Sequence, residues 1–430
     1  MRRRRPPEAA PPPELEQLRV ARLLTDGVTG LPLLPVGFAG TERVPHLGVI
    51  YLQIGRFAGI ESLYGWQLYD RVLRLVAESL REDLASSPLE PHIMTLQFNG
   101  SDGFYLIFSL PSPPRNGSPA ARLEAEAGRL RDGIMRRLRQ GLDRAMVDLM
   151  SVHASALYAP DDPRTRPSRN LLRALRDAAR MVESQEKAER LGLISNCRAI
   201  LAGRKLRTVY QPVFDIQEKT VVGFEALIRG PAGELEQPDV LFAAARESDL
   251  ALELESLCME TIFRKLPRAT QARKLFVNAS PRLLTHPVFL DERNLNEIRR
   301  AHPHVVIEVS EKEVVGDYPA FRGVLDRLRG NGLQIAIDDA GSGYSGLEAI
   351  LQLRPQYIKV ANTIVQNLHE ETIKRGVITA LASVGREIQA SLIAEGIEQP
   401  EELEALVDLG VNYGQGFLLG RPAGRIKPGH

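Results

Sequence analysis

The sequence predicts an α/β protein of two unlike halves: a C-terminal (βα)8-type barrel with one antiparallel strand, and a smaller N-terminal α/β domain. Length is the first reason, since 430 residues exceed one ordinary domain and suit two. The second is a change of pattern near the middle of the chain. Beyond it, short β-rich runs recur and most are followed by a helical pattern, the signature of a strand–helix barrel. The third is the placing of acids, amides and one lysine at the ends of those apolar runs.

Composition narrows the function. Hydrophobic residues make up 43% and charged residues 25%, values of a soluble globular chain. Lys+Arg number 55 and Asp+Glu 54, for a net charge of +1. That balance supplies no overall field for a nucleic acid polymer or an anionic membrane, so an anionic ligand needs a local site. The two cysteines, Cys197 and Cys258, have neither zinc nor redox spacing and read as buried thiols in a reducing compartment. No apolar run approaches the ~20 residues of a membrane span. The start, MRRRRPPEAAPPPE, has a basic tip followed by prolines where a signal peptide needs apolar residues. A cytoplasmic protein is expected.

Residues 1–19 form an Arg/Pro-rich tail that is expected to be disordered. HLGVIYLQIGRF reads as a strand, and residues 68–84 carry apolar side chains at helical spacing. MTLQF and FYLIFSL are strands joined by the turn-forming Asn99-Gly100-Ser101-Asp102-Gly103, a hairpin signal. SVHASALYA is a further strand, and residues 161–168, with two prolines, form a loop. Residues 169–205 form a long charged helix suited to joining domains or packing on a partner helix.

Eight strands follow: TVYQPVFDI, VVGFEALIR, KLFVNAS, VVIEVSE, LQIAIDDA, YIKVA, SLIAEGIE and NYGQGFLLG. The first two are joined only by about Asp215–Thr220, too short for a crossover helix, so these pair antiparallel. Their ends supply Glu225 and Arg229, Asn278, Glu308 and Glu311, Asp338 and Asp339, Lys359, Glu395 and Glu398, and Gln415. Any one of these acids alone reads as a helix cap or a solvated loop residue. Seven adjacent strands delivering polar groups to one barrel mouth read as a site. Acids on apolar strands need compensation, and a hard divalent cation wants such oxygens. Without a His or Cys cluster zinc is disfavoured, and oxygen ligands plus a lysine suggest Mg2+ or Mn2+ acting on a phosphate ester.

These residues also carry a family resemblance. FEALIRG, preceded by YQPV, resembles the signature of EAL-domain cyclic di-GMP phosphodiesterases, and FVNAS, IEVSE, DDAGSGYSG, YIKV, AEGIE and YGQGFLLGRP follow in the family's order over about residues 197–425. The resemblance implies hydrolysis of cyclic di-GMP to linear pGpG. It implies that Glu225, Asn278, Glu308 and Asp338 hold one metal, and that Asp338, Asp339 and Glu395 hold a second. Lys359, Glu395 and Glu225 would be catalytic, and Arg229, Gln211, Leu227, Glu398 and Gln415 would meet substrate or support those that do. Glu311, Gly341 and Gly343 would belong to a controlling loop, and a homodimer through this domain is implied. Two positions depart from the pattern. Ala361 stands where the family usually has an acid two residues after the lysine, and Ala340 stands where it has phenylalanine. The alternatives are a non-catalytic cyclic di-GMP receptor and a protein-interaction scaffold.

The first half is similar to GGDEF diguanylate cyclases, through DGVTGLP at residues 26–32 and the SDGF hairpin, over about residues 20–187, with the EAL-like part at 188–430. Its key positions are changed. The GG(D/E)EF signature reads Gly100-Ser101-Asp102-Gly103-Phe104, so the essential glutamate is Gly103. The family's first metal-binding aspartate falls at Gln53 and its guanine-reading asparagine at Glu61, while a partner acid survives as Asp70. Pro91 and Met94 replace the inhibitory Arg-x-x-Asp pair. The resemblance therefore implies a catalytically inactive regulatory domain on which an unknown regulatory protein would act.

Overall fold

The structure is a computed structural model that describes residues 24–33, 44–55, 66–111, 118–142, 146–147, 150–310, 318–341 and 346–426. The expected tail, Glu61, Glu311 and Gly343 lie outside the described residues. The chain forms two compact units, Met1–Gly192 and Leu193–His430, and the division falls inside one continuous helix, Pro167–Gly203.

In the first unit, strands β1 (His46–Gly55), β2 (Ile93–Phe98), β3 (Gly103–Ser109) and β4 (Ser151–Pro160) form an antiparallel sheet in the order β2-β3-β1-β4. Nearly every residue of β1 is buried, as befits a central strand covered on both faces. On one face Ile50, Leu52 and Ile54 pack with Val72, Val76 and Leu80 of helix Trp66–Ala85 and Leu123, Leu130 and Ile134 of helix Pro119–Gly141. On the other face Val49, Tyr51, Tyr105 and Ile107 meet Leu171, Ala174, Leu175, Ala178 and Val182 of helix Pro167–Gly203. The part of that helix from Leu171 to Val182 thus supplies the apolar stripe that covers this face of the sheet. Pro167 opens the helix, two residues earlier than expected, because proline suits a first helical turn.

In the second unit, β5 (Arg207–Asp215), β6 (Thr220–Arg229), β7 (Lys274–Asn278), β8 (Val305–Ser310), β9 (Gln334–Ala340), β10 (Tyr357–Val360), β11 (Ser391–Ala394) and β12 (Tyr413–Gly414) close into a barrel. β5 runs antiparallel to both neighbours, β6 and β12, and the other pairs are parallel. The turn Ile216–Lys219 is too short for anything else. The eighth strand is shorter than NYGQGFLLG suggested. After Gly414 the chain turns, with the Leu418 N–H donating to the Ile397 carbonyl and the Gly420 N–H to that of Gly416. The turn requires glycine at 416, because a Cβ there would lie 2.1 Å from the Ile397 carbonyl oxygen.

Side chains on a strand point alternately in and out, so residues two apart share a face. Inside the barrel, Phe276, Val306, Ala336, Tyr357 and Ile393, joined by Tyr413, form an apolar layer. Two residues further along the same six strands come Asn278, Glu308, Asp338, Lys359, Glu395 and Gln415. The apolar layer closes the barrel below, and the polar layer above it faces the C-terminal mouth.

Candidate active site at the barrel mouth

Strand period puts Asp338 inside and should turn Asp339 away. The ladder between β9 and β10 instead slips: Ile337 faces Ile358, but Ala340 faces Val360. Three residues on β9 thus span the distance of two on β10, a bulge of the kind that re-aims side chains beside active sites. Asp339 takes φ 60°, a left-handed conformation that aspartate tolerates better than most residues, and Gly341 follows at φ 91°. The result is a triad: oxygens of Asp338, Asp339 and Glu395 lie within 4.8 Å of one another.

Lys359 stands at the centre of the polar layer. Its Nζ is 2.8 Å from both Glu308 Oε1 and Glu395 Oε1, 3.2 Å from Asp338 Oδ1 and 3.6 Å from Glu225 Oε1. The Asn278 amide donates to Glu225 Oε1 at 3.0 Å, and the Gln415 amide donates to Glu225 Oε2 at 2.7 Å and to Glu395 Oε1 at 3.1 Å. Glu225, Glu308, Lys359 and Gln415 are all buried.

One ammonium among four carboxylates leaves a surplus of negative charge, and the acids respond unequally. Burial, then the Glu225 charge, pushes Glu308 well above the usual carboxylate range. Burial also raises Asp338, with Lys359 opposing. Burial and the Asp338 charge lift Glu395 to about 8. Glu225 is buried too, but the Lys359 ammonium and the Gln415 and Asn278 amides outweigh that and hold it below its usual value. For Lys359 burial works against the charge, and the surrounding acids more than reverse it, so the ammonium is held well above its usual range.

A divalent cation fits this set of donors. They are all oxygens apart from the lysine, and both carboxylate oxygens of Glu308 are buried without a well-oriented hydrogen-bond donor. Acids driven toward protonation by their own crowding gain from a cation that lets them ionise.

The remaining expected residues lie around this layer. Gln211 pairs across the ladder with Glu225, and its amide donates to the Gly420 carbonyl at 3.1 Å. Leu227 is half-buried further up β6. The Arg229 guanidinium donates to the Ile228 carbonyl; partial burial and the neighbouring Arg207 hold it below its usual range. The Glu398 side chain is exposed, and its N–H is bound by Glu402. Glu402 was not singled out from sequence. Its buried carboxylate accepts from the N–H groups of Asn367, Glu398 and Gln399, fixing the loop that leaves Glu395. The signal was present as the Gln399–Glu402 spacing of a capping box.

Ala361, where the family usually has an acid, is 1% exposed directly after β10, and its N–H donates to the Ala340 carbonyl. In the first unit, Gln53 and Gly103 are direct cross-strand partners. The Gln53 amide donates to Asp102 Oδ2 at 2.9 Å, and a Cβ at position 103 would lie 2.2 Å from the Tyr51 hydroxyl.

Comparison with known proteins agrees with the barrel. The chain is 27% identical over 399 residues to the bifunctional diguanylate cyclase/cyclic di-GMP phosphodiesterase MucR of Pseudomonas aeruginosa, a match covering 88% of this chain and 56% of that protein. It is 25% identical over 432 residues to the cyclic di-GMP phosphodiesterase PdeR of Escherichia coli, covering 95% and 63%. The chain thus spans less than two thirds of the length of either relative. Among solved structures, the FimX EAL domain of Xanthomonas citri in complex with c-diGMP shares the fold at a TM-score of 0.50 and 19% identity, covering 57% of this chain and 99% of that one. The family pattern described as EAL domain matches residues 196–422, more than half of the sequence and all eight barrel strands, and the chain belongs to that family.

Proposed function

We propose that the barrel hydrolyses cyclic di-GMP to linear pGpG in the presence of Mg2+ or Mn2+. The observation that carries this reading is the convergence of Glu225, Glu308, Asp338 and Glu395 on Lys359 at one barrel mouth. Two relatives named as cyclic di-GMP phosphodiesterases support the choice of substrate.

Glu225, Asn278, Glu308 and Asp338 would hold one cation, and Asp338, Asp339 and Glu395 a second. When bound, such a cation supplies positive charge that stabilises an in-line displacement at phosphorus and makes water a stronger nucleophile. The chain's own residues do the rest. Lys359, freed of surplus carboxylates, offers its ammonium to a nonbridging phosphoryl oxygen as charge builds there. Arg229 has the planar fork suited to the same phosphate. Glu395 accepts a proton from the attacking water. The new P–O bond forms as the bond to the ribose 3′ oxygen breaks, and that oxygen takes a proton from solvent.

The first unit supports a regulatory reading. It looks like a GGDEF-like domain that has lost cyclase chemistry: Gln53 satisfies Asp102 where a metal would be held, and Tyr51 fills the space of the missing glutamate. A cytoplasmic homodimer formed through the barrel domain, with a regulatory protein acting on the first unit, completes the proposal.

The test is incubation of the purified chain with cyclic di-GMP and Mg2+ or Mn2+, with an EDTA control and chromatographic separation. Metal-dependent pGpG is expected. Intact messenger that nonetheless binds tightly would replace the enzyme with a receptor, the reading that buried Ala361 favours.

A further inference from the structure

Glu402 joins the two chain segments that leave the barrel after Lys359 and Glu395. It sits in the first turn of helix Pro400–Asp408 and is 1% exposed. Its Oε2 accepts from the N–H groups of Glu398 and Gln399 at 2.9 and 3.1 Å, in the segment after β11. Its Oε1 accepts from the Asn367 N–H at 2.9 Å, in the segment after β10. The Gln399 amide adds a longer bond to Asn367 Oδ1 at 3.4 Å.

Capping explains only half of this arrangement. A capping box needs one acceptor atom at this position, and glutamine supplies it as well as glutamate. Burying a carboxylate is the costlier choice, and the cost is offset only if both oxygens find donors. The second oxygen is the one that reaches the other segment. It meets Asn367 where the backbone is left-handed, at φ 55°. The same two segments touch at two further points. The Glu395 N–H donates to the Val360 carbonyl at 3.1 Å, and a Cβ on Gly396 would lie 2.6 Å from the Asn362 Cβ. Gly396 takes φ 69°, so the chain leaving Glu395 turns on a conformationally permissive residue. Glu402 holds that turn from its far side.

We infer that Glu402 is a positioning residue for the reaction at the barrel mouth. By tying Asn367 to Glu398 and Gln399, it keeps the segment after β11 seated on the segment after β10. That seating sets the Glu395 carboxylate at 2.8 Å from the Lys359 ammonium. The inference rests on the phosphodiesterase reading. No bond forms or breaks at Glu402 itself.

Glu402→Gln separates the tie from the cap. Its single acceptor oxygen can serve Glu398 and Gln399, and its NH2 then faces the Asn367 N–H, donor against donor. With Mn2+, kcat for cyclic di-GMP should fall about tenfold, short of the ~100-fold loss that ~1 Å of misplacement brings, while KM stays within about threefold. Hydrogen exchange at the Asn367 amide, read by mass spectrometry with electron-transfer fragmentation, should quicken about tenfold. A kcat within about twofold of the parent, at a temperature where both are folded, overturns the inference, and so does a loss confined to KM. Either result would leave Glu402 as a helix cap alone. Should the Gln variant not fold, Glu402→Asp reads the same quantities, since a carboxylate shorter by one methylene caps from the same position without reaching Asn367. A parent protein that leaves cyclic di-GMP intact would refute the phosphodiesterase reading separately. Exchange at Asn367 would still test the tie, and equal rates in parent and variant would remove it.

Discussion

Replacing Lys359 with methionine isolates the electrostatics of the barrel mouth, because the two side chains are close in length and volume. The ammonium is 1% exposed and lies within 3.6 Å of four carboxylates. Removing one partner of a buried ion pair costs about 3–5 kcal/mol. Here the penalty should depend on pH, because the acids can take up protons instead of remaining charged and unpaired. Burial already raises Glu308 and Asp338, and lifts Glu395 from its usual 4.5 to about 8. An acid whose pKa is raised by folding binds more protons folded than unfolded across that window, so it lowers stability as pH rises through it. Glu225, held low chiefly by Lys359 against its own burial, contributes in the opposite direction and loses that contribution in the variant. Lys359→Met should therefore lose about 3–5 kcal/mol near pH 8 and clearly less near pH 5, well below the value of about 8 to which Glu395 is lifted. Saturating Mn2+ should recover most of the loss at pH 8. Urea titration followed by circular dichroism is the appropriate measurement, since Trp66, the sole tryptophan, belongs to the first unit and its fluorescence reports on that unit. Equal losses at the two pH values, or none at pH 8, would refute the reasoning.

Two further outcomes are expected. Ala361→Asp should raise turnover of cyclic di-GMP if the missing acid limits the rate, while melting at a lower temperature because a carboxylate enters a buried position at a cost of about 1–3 kcal/mol; lower stability with unchanged turnover would show that this barrel works without that acid. The full chain given GTP and Mg2+ should form no cyclic di-GMP, and Gly103→Glu should not restore synthesis, because its Cβ would meet the Tyr51 hydroxyl at 2.2 Å and the Asn99 amide at 2.5 Å. Product detected from either protein by chromatography would refute the inactive-domain reading.

The barrel was legible because its strands obey simple rules. Alternation put Phe276 with Asn278, Val306 with Glu308 and Tyr357 with Lys359, and the short link between β5 and β6 fixed the antiparallel pair. The features that sequence did not yield are those in which a local rule is broken or a partner is distant. Alternation alone sends Asp338 and Asp339 to opposite faces, and only the extra residue opposite Lys359 brings both to the mouth. Nothing local to NYGQGFLLG shows that the strand stops at Gly414, where the chain turns with Gly416 close against Ile397. The hydrogen bond from Gln415 to Glu225 spans 190 residues of chain, and no spacing rule reports such a contact.

The same distinction bears on how the two halves differ chemically. At the barrel mouth the crowded acids are left to one lysine, so burial and mutual repulsion raise three of the four and create a demand for positive charge. In the first sheet the Asp102 carboxylate is met by the amide of Gln53, and the Tyr51 hydroxyl lies 2.2 Å from where a Cβ at position 103 would be. A neutral amide satisfies a carboxylate without leaving charge to be neutralised. One site retains an unmet electrostatic need, whereas in the first unit the Gln53 amide meets the carboxylate of Asp102.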